Sequence, residues 1–237
     1  PFEFVAIGDT TVDEFIRLEE ARVNCDINSE NCTISMKWGD KIPYEFSVLV
    51  PGVGNAANAA VAAARLGLSA AFVSNVGADR FGEEILTTFR KEGVDTKHIA
   101  VNDGIPTNHH YVLWYEEERT ILVRHEAYPY VMPKEFAPPK WLYLSSTGAG
   151  AEAFHDELAS WLLAHPETKL AFQPGTFQIA MGREKLKVLY AHAKIVACNK
   201  QEAERILECG EIDIKTLLEK MSALGAVIVL ITDGPNG

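Results

Sequence analysis

A loop containing glycine and asparagine that leads directly into an alanine-rich run is the feature that most constrains the fold. Residues 52–67 read GVGNAANAAVAAARLG. Gly52 and Gly54 allow positive φ and a close approach of the backbone to a ligand, and alanine has the highest helix propensity. The pattern therefore predicts a tight loop that opens a helix, with Asn55 as its N-cap and Gly67 as the left-handed residue after its last turn. The free N–H groups of such a helix start attract polar or anionic ligands; the alternative is a helix that packs tightly on a sheet through its small residues.

Short apolar segments alternate with helical patterns along most of the chain. Strands are predicted at residues 2–7, 70–76, 141–145, 169–172, 194–197 and 227–231. Helices are predicted at about 80–91, at 151–164, from 201 and at 214–224, and residues 179–192 are predicted to be largely helical. Strands of about five residues between helices indicate a parallel sheet with right-handed crossovers. The expected fold class is α/β, as a single domain over residues 1–237.

Two inserts have a different character, at approximately residues 14–50 and 105–126. Both alternate polar with apolar side chains and are rich in aromatic and β-branched residues, which is typical of half-exposed antiparallel strands. We expect a small accessory sheet that covers a site or contacts a second copy of the chain. His109, His110 and Arg124 in the second insert could reach a substrate; the alternatives are solvated strand residues or a subunit contact.

Charge and composition favour small-molecule partners. The chain has 22 basic and 33 acidic residues, a net charge of −11, which disfavours a generic nucleic-acid or acidic-membrane surface. No apolar run approaches the length of a membrane span. The four cysteines lack C-x-x-C spacing and the seven histidines are scattered, so neither a zinc site nor a disulfide framework is expected, and a reducing cytoplasm is the simplest compartment.

Polar residues gather after the first predicted strand. Asp9 and Asp13 follow the apolar run that ends at Gly8, at the edge where open parallel sheets bind ligands. Both are candidate ligand contacts, and an Asx turn is the alternative for Asp9.

Five motifs occur in an order that matches one known family. They are Gly8 with Asp13 and the loop 51–58; Arg65-Leu66-Gly67; Val76-Gly77 with Asp79 and Phe81-Gly82, then residues 92–95; Asn199-Lys200-Gln201-Glu202 (N-x-x-E); and residues 232–237 (T-x-G-x-x-G). Together they resemble the ribokinase-like sugar and nucleoside kinases, the phosphofructokinase B family. The resemblance covers the chain end to end and implies a doubly wound three-layer α/β/α fold with a small β-sheet lid.

The resemblance also implies roles for particular residues. Asp13 would accept hydrogen bonds from the hydroxyl groups of a small sugar or nucleoside, with Gly54, Asn55 and Asn58 on the other side of the acceptor. A sugar presents only donors and acceptors, so a carboxylate beside amide side chains can select it.

On the nucleotide side, Asn199 and Glu202 would organise water-coordinated Mg²⁺ and the phosphates without ligating the metal, while Thr232 and Gly234 would contact ATP. Each pattern also has a purely structural alternative. Asn199 and Glu202 fit a helix capping box, and residues 233–237 fit an ordinary turn.

The sequence departs from the family at its catalytic element. No G-A-G-D segment, whose Asp would remove the acceptor proton, occurs in residues 1–237, and Gly148-Ala149-Gly150 is followed by Ala151 and is predicted to be a strand-to-helix turn. We therefore expect the catalytic Asp downstream of Gly237, the C-terminal part of the fold to be missing, and an ATP-dependent sugar kinase with impaired activity in this chain. The alternatives are a nucleoside kinase of the same family and a non-catalytic sugar- or nucleotide-binding protein; a lid-mediated homodimer is also expected.

Overall fold

The computed structural model describes residues 1–26, 32–234 and 237. Its strands are β1 (Phe4–Ile7), β2 (Thr11–Leu18), β3 (Arg22–Asn24), β4 (Thr33–Ser35), β5 (Tyr44–Val53), β6 (Ala70–Gly77), β7 (Val94–Asn102), β8 (His109–Tyr115), β9 (Glu118–Leu122), β10 (Trp141–Leu144), β11 (Lys169–Phe172), β12 (Ala193–Asn199) and β13 (Ile228–Thr232). Its helices are α1 (Asn55–Arg65), α2 (Arg80–Lys91), α3 (Glu152–Ala164), α4 (Thr176–Met181), α5 (Lys187–His192), α6 (Lys200–Leu207) and α7 (Ile214–Ser222).

A seven-stranded sheet in the order β13-β12-β11-β10-β1-β6-β7 forms the centre of the fold, and all its strands are parallel. Because strands between helices are buried on both faces, they read as continuous apolar runs. This confirms the predicted α/β class and its central parallel sheet.

Each face of this sheet has its own core. On one face, the small side chains of α1, among them Ala56 and Ala60, let the helix lie close to Phe72, which also makes an edge-to-face contact with Phe89 of α2 at 5.2 Å. On the other face, α3, α5, α6 and α7 contribute buried Leu158, Leu189, Ala203 and Leu217. Burial on both faces produces the three layers expected from the resemblance.

A second, four-stranded sheet has the order β5-β2-β8-β9. The pairs β2–β5 and β8–β9 are antiparallel, as expected for the two inserts, whereas β2 and β8 pair in parallel and join them. β2 begins at Thr11, three residues before the predicted insert. The strand therefore leaves the core sheet almost directly after β1.

Three local features differ from the sequence prediction. The edge strand β7 was not predicted. The stretch at 179–192, predicted to be largely helical, contains the end of α4 and all of α5, with a break that begins at Gly182, where φ is +85°. A disulfide joins Cys25 to Cys32, next to the β3–β4 pair, although no disulfide was expected from the cysteine spacing. Residues 27–31 of the first insert lie outside the described residues. Within the described ranges, no helix combines the length and the apolar character needed to cross a membrane.

Candidate functional site

The carboxyl ends of β1 and β10 meet at the point where the strand order reverses. From β1 the chain proceeds to β6 and β7 on one side and then to β10 on the other. Ligands of open α/β sheets bind at such a switch point. Gly8 allows the end of β1 to lie close to α1 and to the segment after β10, because a Cβ there would lie 2.7 Å from the Ala56 side chain and 2.9 Å from the Ser146 carbonyl oxygen.

The start of α1 lies against this edge. Gly54, with φ +120°, is the N-cap in place of the predicted Asn55, and a Cβ on it would lie 3.0 Å from the Asp9 carbonyl oxygen. Asn55 is instead the first residue of the helix. Asn55 and Asn58 are both exposed, and neither side chain makes a hydrogen bond within the described part of the chain. Their amide groups are available to a ligand. Gly67, with φ +87°, ends the helix as predicted.

Asp13 belongs to the small sheet, not to the core. It is opposite Val50 on β5 and His110 on β8, and its Oδ1 lies 3.3 Å from His110 Nδ1. Its side chain is 19% exposed. The acceptor residues predicted from the sequence are thus divided between the small sheet and the start of α1.

Asp9 is buried at the end of β1 and does not close an Asx turn. Its two carboxylate oxygens accept hydrogen bonds from the Tyr130 hydroxyl at 2.8 and 2.9 Å, and that hydroxyl accepts one from the Gly148 N–H at 2.7 Å. Desolvation raises the pKa of Asp9 to about 7, although the hydrogen bond from Tyr130 and the Gly148 backbone lower it in part. No sequence signal pointed to Tyr130, which lies 121 positions away.

Histidine rings connect Asp9 to Asp13 across the two sheets. His125 Nδ1 lies 4.0 Å from Asp9 Oδ2, the His125 and His110 rings are 5.1 Å apart, and His110 contacts Asp13. Burial, with a smaller contribution from His110, lowers the pKa of His125. The side chains of His109 and His110 are only 16% and 13% exposed, so the solvated-strand alternative was wrong for both. Arg124 is exposed and pairs with Glu126.

Buried polar contacts hold the neighbouring strand ends in place. Gln178 donates to the Ser145 carbonyl oxygen and to His155 Nε2, and it accepts from the Gly175 N–H at 2.7 Å. His155 Nδ1 lies 2.6 Å from the Ala151 carbonyl oxygen, so Nδ1 carries the proton, and burial lowers the pKa of His155. These contacts fix the segments that follow β10 and β11.

Asp79 fixes the connection between β6, α2 and the second insert. Its carboxylate accepts from the Gly82 N–H at the start of α2, and from both the N–H and the hydroxyl of Thr107 at 2.8 and 2.6 Å. Desolvation alone would raise its pKa, but the hydrogen bonds from Thr107 and the α2 backbone together lower it. Thr107 leads directly into β8, so this cap also positions the small sheet.

The predicted nucleotide residues lie at the carboxyl ends of β12 and β13, the two strands farthest from β7 in the core sheet. Asn199 Oδ1 accepts from the Glu202 N–H at 2.8 Å and Glu202 Oε2 accepts from the Asn199 N–H at 2.9 Å, so the structural alternative, a capping box, is present. Asn199 pairs in register with Thr232 on β13. Gly234 follows with φ +55°. Pro235 and Asn236 of the same motif lie outside the described residues.

Apart from Asp13, which belongs to the small sheet, the predicted acceptor residues lie near the end of β1 and the predicted nucleotide residues lie at the ends of β12 and β13. β12 is three strands from β1, a separation of about 14 Å. Among the described residues, no group of three or more His, Cys, Asp or Glu side chains is arranged to hold a metal ion.

The family model for the "pfkB family carbohydrate kinase" matches residues 42–237. The chain belongs to this family. Among curated pfkB-type relatives, the ribokinase of Haemophilus influenzae is 52% identical over 46 residues, which is 19% of this chain and 15% of the relative. The fructokinase of Salmonella typhimurium is 36% identical over 108 residues, covering 43% and 35% of the two chains. The matches thus span about a third or less of each relative.

Solved structures of pfkB-type kinases share the fold. Ribokinase of Arabidopsis thaliana, complexed with ribose and ATP, superposes with a TM-score of 0.74 at 18% identity, covering 100% of this chain and 73% of that one. A nucleoside kinase of Methanocaldococcus jannaschii gives 0.72 at 17% identity, covering 99% and 71%. At these identities the likeness establishes the ribokinase fold.

Proposed function

We propose that this protein serves ATP-dependent phosphoryl transfer to a hydroxymethyl group of a small sugar or sugar derivative. The observation that carries the proposal is that Gly54, at the start of α1, lies against the Asp9 carbonyl oxygen at the switch point of a pfkB-family sheet, while the His125 and His110 rings connect Asp9 to Asp13. Ribokinase and fructokinase are among the relatives. A nucleoside acceptor is the second candidate, supported by the likeness to the archaeal nucleoside kinase.

On the acceptor side, the proposal assigns hydroxyl recognition to Asp13 and Asn58. An ionised carboxylate accepts only, whereas an amide both donates and accepts, so the pair fits neighbouring hydroxyl groups. Gly54 keeps the loop free of side-chain atoms where the acceptor would approach. In the same proposal the small sheet acts as a lid, and Asp13, which lies on β2 of that sheet, would move with it.

On the nucleotide side, the proposal assigns the phosphates to the end of β12 and the nucleotide to Thr232 and Gly234. The capping box leaves Asn199 Nδ2 and Glu202 Oε1 without a hydrogen bond within the described chain, and these groups fit the water shell of a hard cation. Mg²⁺, when bound, would neutralise charge on the phosphates. Asn199 and Glu202 would hold its water ligands.

No residue of 1–237 is proposed as the general base. The sequence contains no G-A-G-D segment, and the turn at residues 148–150 supplies its Gly148 N–H to Tyr130. General-base assistance typically contributes about 10² to 10⁴ in rate. We therefore expect the purified 237-residue chain to bind acceptor and ATP but to transfer phosphate slowly.

Calorimetry on the 237-residue chain tests the acceptor assignment. Fructose, ribose, 2-keto-3-deoxygluconate and adenosine are titrated with a non-hydrolysable ATP analogue present. Asp13→Ala should weaken the preferred acceptor roughly 10- to 150-fold, the equivalent of about 1.5–3 kcal/mol for hydrogen bonds to a charged group. Glu14→Ala is the matched control, because Glu14 is the next residue on β2 and points to the opposite face.

Two results would contradict the proposal in different ways. If none of the compounds binds, the assigned function is wrong. If a compound binds equally well to the Asp13→Ala and parent proteins, the function stands but the residue assignment is wrong. Rapid transfer of phosphate from ATP by the purified chain, with contaminating kinases excluded, would refute the absence of a base in residues 1–237.

A homodimer through the small sheet is part of the same proposal. The face that carries Asp13 also presents Phe46, Val48, Trp114 and Ile121, which are 36–48% exposed. Apolar side chains grouped in this way are typical of a protein contact. Sedimentation of the Val48→Lys variant tests it: the parent should sediment as a dimer and the variant as a monomer.

The cytoplasm is the proposed compartment, because ATP is the proposed donor. The Cys25–Cys32 disulfide is the opposing observation, since cytosolic thiols are normally kept reduced. Alkylation of thiols in freshly lysed cells, before any air oxidation, distinguishes the two states.

A further inference from the structure

We propose that the cavity between β6, β7 and the segment 129–131 is a second small-molecule site, for an uncharged hydroxylated ligand. The cavity has a volume of about 220 Å³. None of the residues proposed for the acceptor or the nucleotide lines it. The proposed site is therefore distinct from those residues, although Gly8 of the switch point belongs to its wall.

Hydrogen-bonding groups in the cavity wall are left free. Thr147 is 2% exposed, and its Oγ1 has no hydrogen-bond partner within the described chain. Asn102 uses its Nδ2 for Asn75 Oδ1 and two backbone carbonyl oxygens. Asn75 Nδ2 and Asn102 Oδ1 make no hydrogen bond among the described residues. A buried hydroxyl and a free amide donor and acceptor together match a ligand that both donates and accepts.

The lining carries no formal charge. None of the described residues around the cavity is Asp, Glu, Lys or Arg. His98 also lines it, and burial, followed by the charge of Lys97, lowers the pKa of His98, so the ring is neutral at pH 7. Because an unpaired charge is costly to desolvate, such a site rejects carboxylates and phosphates. The remaining wall, including Ile7, Val73 and Phe154, is apolar and fits the carbon skeleton of the ligand.

The size of the cavity limits the ligand to a small molecule. An engineered cavity of about 150 Å³ holds benzene, and water occupies about 30 Å³ per molecule. A volume of about 220 Å³ therefore accepts a short polyol or about seven waters. A four-carbon polyol such as erythritol has the required size, neutrality and hydroxyl groups.

Tyr130 connects this cavity to the switch point. It lines the cavity, while its hydroxyl binds Asp9 and accepts from the Gly148 N–H. A ligand that displaces the Tyr130 ring would change the Gly148 hydrogen bond. The Gly148 amide, which lies outside the cavity wall, therefore reports whether the cavity is occupied.

Amide chemical shifts of the ¹⁵N-labelled 237-residue chain, titrated with erythritol, test the site. We expect saturable shifts at residues 75, 100, 102 and 147 and at the Gly148 amide. Erythronate, the corresponding acid, should cause no saturable shift at these positions. Thr147→Val should weaken erythritol binding roughly two- to tenfold, as expected for the loss of one uncharged hydrogen bond.

Two neighbouring residues on β7 provide a matched pair of variants. Ala100 is an exposed residue at the cavity, and Ala100→Phe should fill it and abolish the shifts. Val101 points to the opposite face of the strand, so Val101→Phe should retain them, as should Asp13→Ala at the acceptor site. The absence of a saturable shift in the parent, which means water only, would overturn the proposal. Shifts that persist in Ala100→Phe would overturn it as well.

Discussion

Replacing Asp9 by asparagine should remove a large pH dependence from the stability of this protein. Burial raises the pKa of Asp9 from 3.8 to about 7 in the folded state. Between these two values the folded chain holds a proton that the unfolded chain has released, so the free energy of unfolding falls as pH rises. The stability that this bound proton contributes is fully present below about pH 4 and is lost as the pH rises through 7.

The size of the effect follows from the two pKa values. A difference of about three pH units, at 1.36 kcal/mol each, corresponds to about 4 kcal/mol. The amide introduced by Asp9→Asn does not titrate, and its oxygen can still accept from the Tyr130 hydroxyl. The free energy of unfolding of the variant should therefore rise by about 4 kcal/mol, relative to that of the parent, between pH 4 and pH 8.

Urea unfolding followed by circular dichroism at intervals from pH 4 to pH 8.5 measures this difference. Parallel stability profiles for the parent and Asp9→Asn would refute the reasoning. Tyr130→Phe is the complementary variant, because it keeps Asp9 but removes the hydroxyl that stabilises its charge. Relative to the parent, Tyr130→Phe should lower the free energy of unfolding by about 1.5–3 kcal/mol above pH 7, and by much less below pH 5.

Three further outcomes are expected. Asp79→Ala should lower the free energy of unfolding by about 2–4 kcal/mol at pH 7, because the cap of α2 and the hydrogen bonds from Thr107 are lost. Because the pKa of Asp79 is lowered in the folded state, this loss of stability should shrink as the pH falls below about 4, and a loss that is independent of pH would contradict the assignment. Asn199→Ala should cost about 1 kcal/mol in thermal or urea unfolding and weaken binding of an ATP analogue; unchanged nucleotide affinity would leave the residue only its capping role. The unfolded protein should show two reactive thiols without reductant and four with it, if Cys25 and Cys32 are bonded; four without reductant would disprove the bond.

Much of the core fold was predictable because its signals are local. The approximate range predicted for α2 agrees with the structure, since Asp79 before the helix and Gly93 after it are strong boundary signals. β7 was missed because His98 and Lys97 interrupt its apolar pattern, as is common at the edge of a sheet. The Asn55 prediction failed because glycine is also an acceptable N-cap, and only the contact of Gly54 with Asp9 selects it.

The site was less predictable from the sequence than the core fold. The order of the motifs identified the family, whereas the roles of Asp13, Gly54 and Asn58 stay predictions. The partners that define the chemistry near them were not predictable. Tyr130 contacts Asp9 from 121 positions away, and nothing in the spacing of an isolated tyrosine indicates such a contact. The pKa of Asp9 likewise depends on burial, which is a property of the whole fold.

The proposed acceptor residues are divided between the small sheet and α1, and this division bears on how substrate preference would change in evolution. Asp13 and His110 belong to the small sheet, whereas Asn55 and Asn58 are anchored on the core through α1. The small sheet contributes little to either large core, since among the described residues Val12 is its one fully buried member of those two clusters. Under the proposed function, substitutions there would reshape one wall of the acceptor pocket with little thermodynamic penalty to the scaffold. Selectivity and folding can then vary almost independently, which makes the small sheet the region to randomise when a new acceptor is sought.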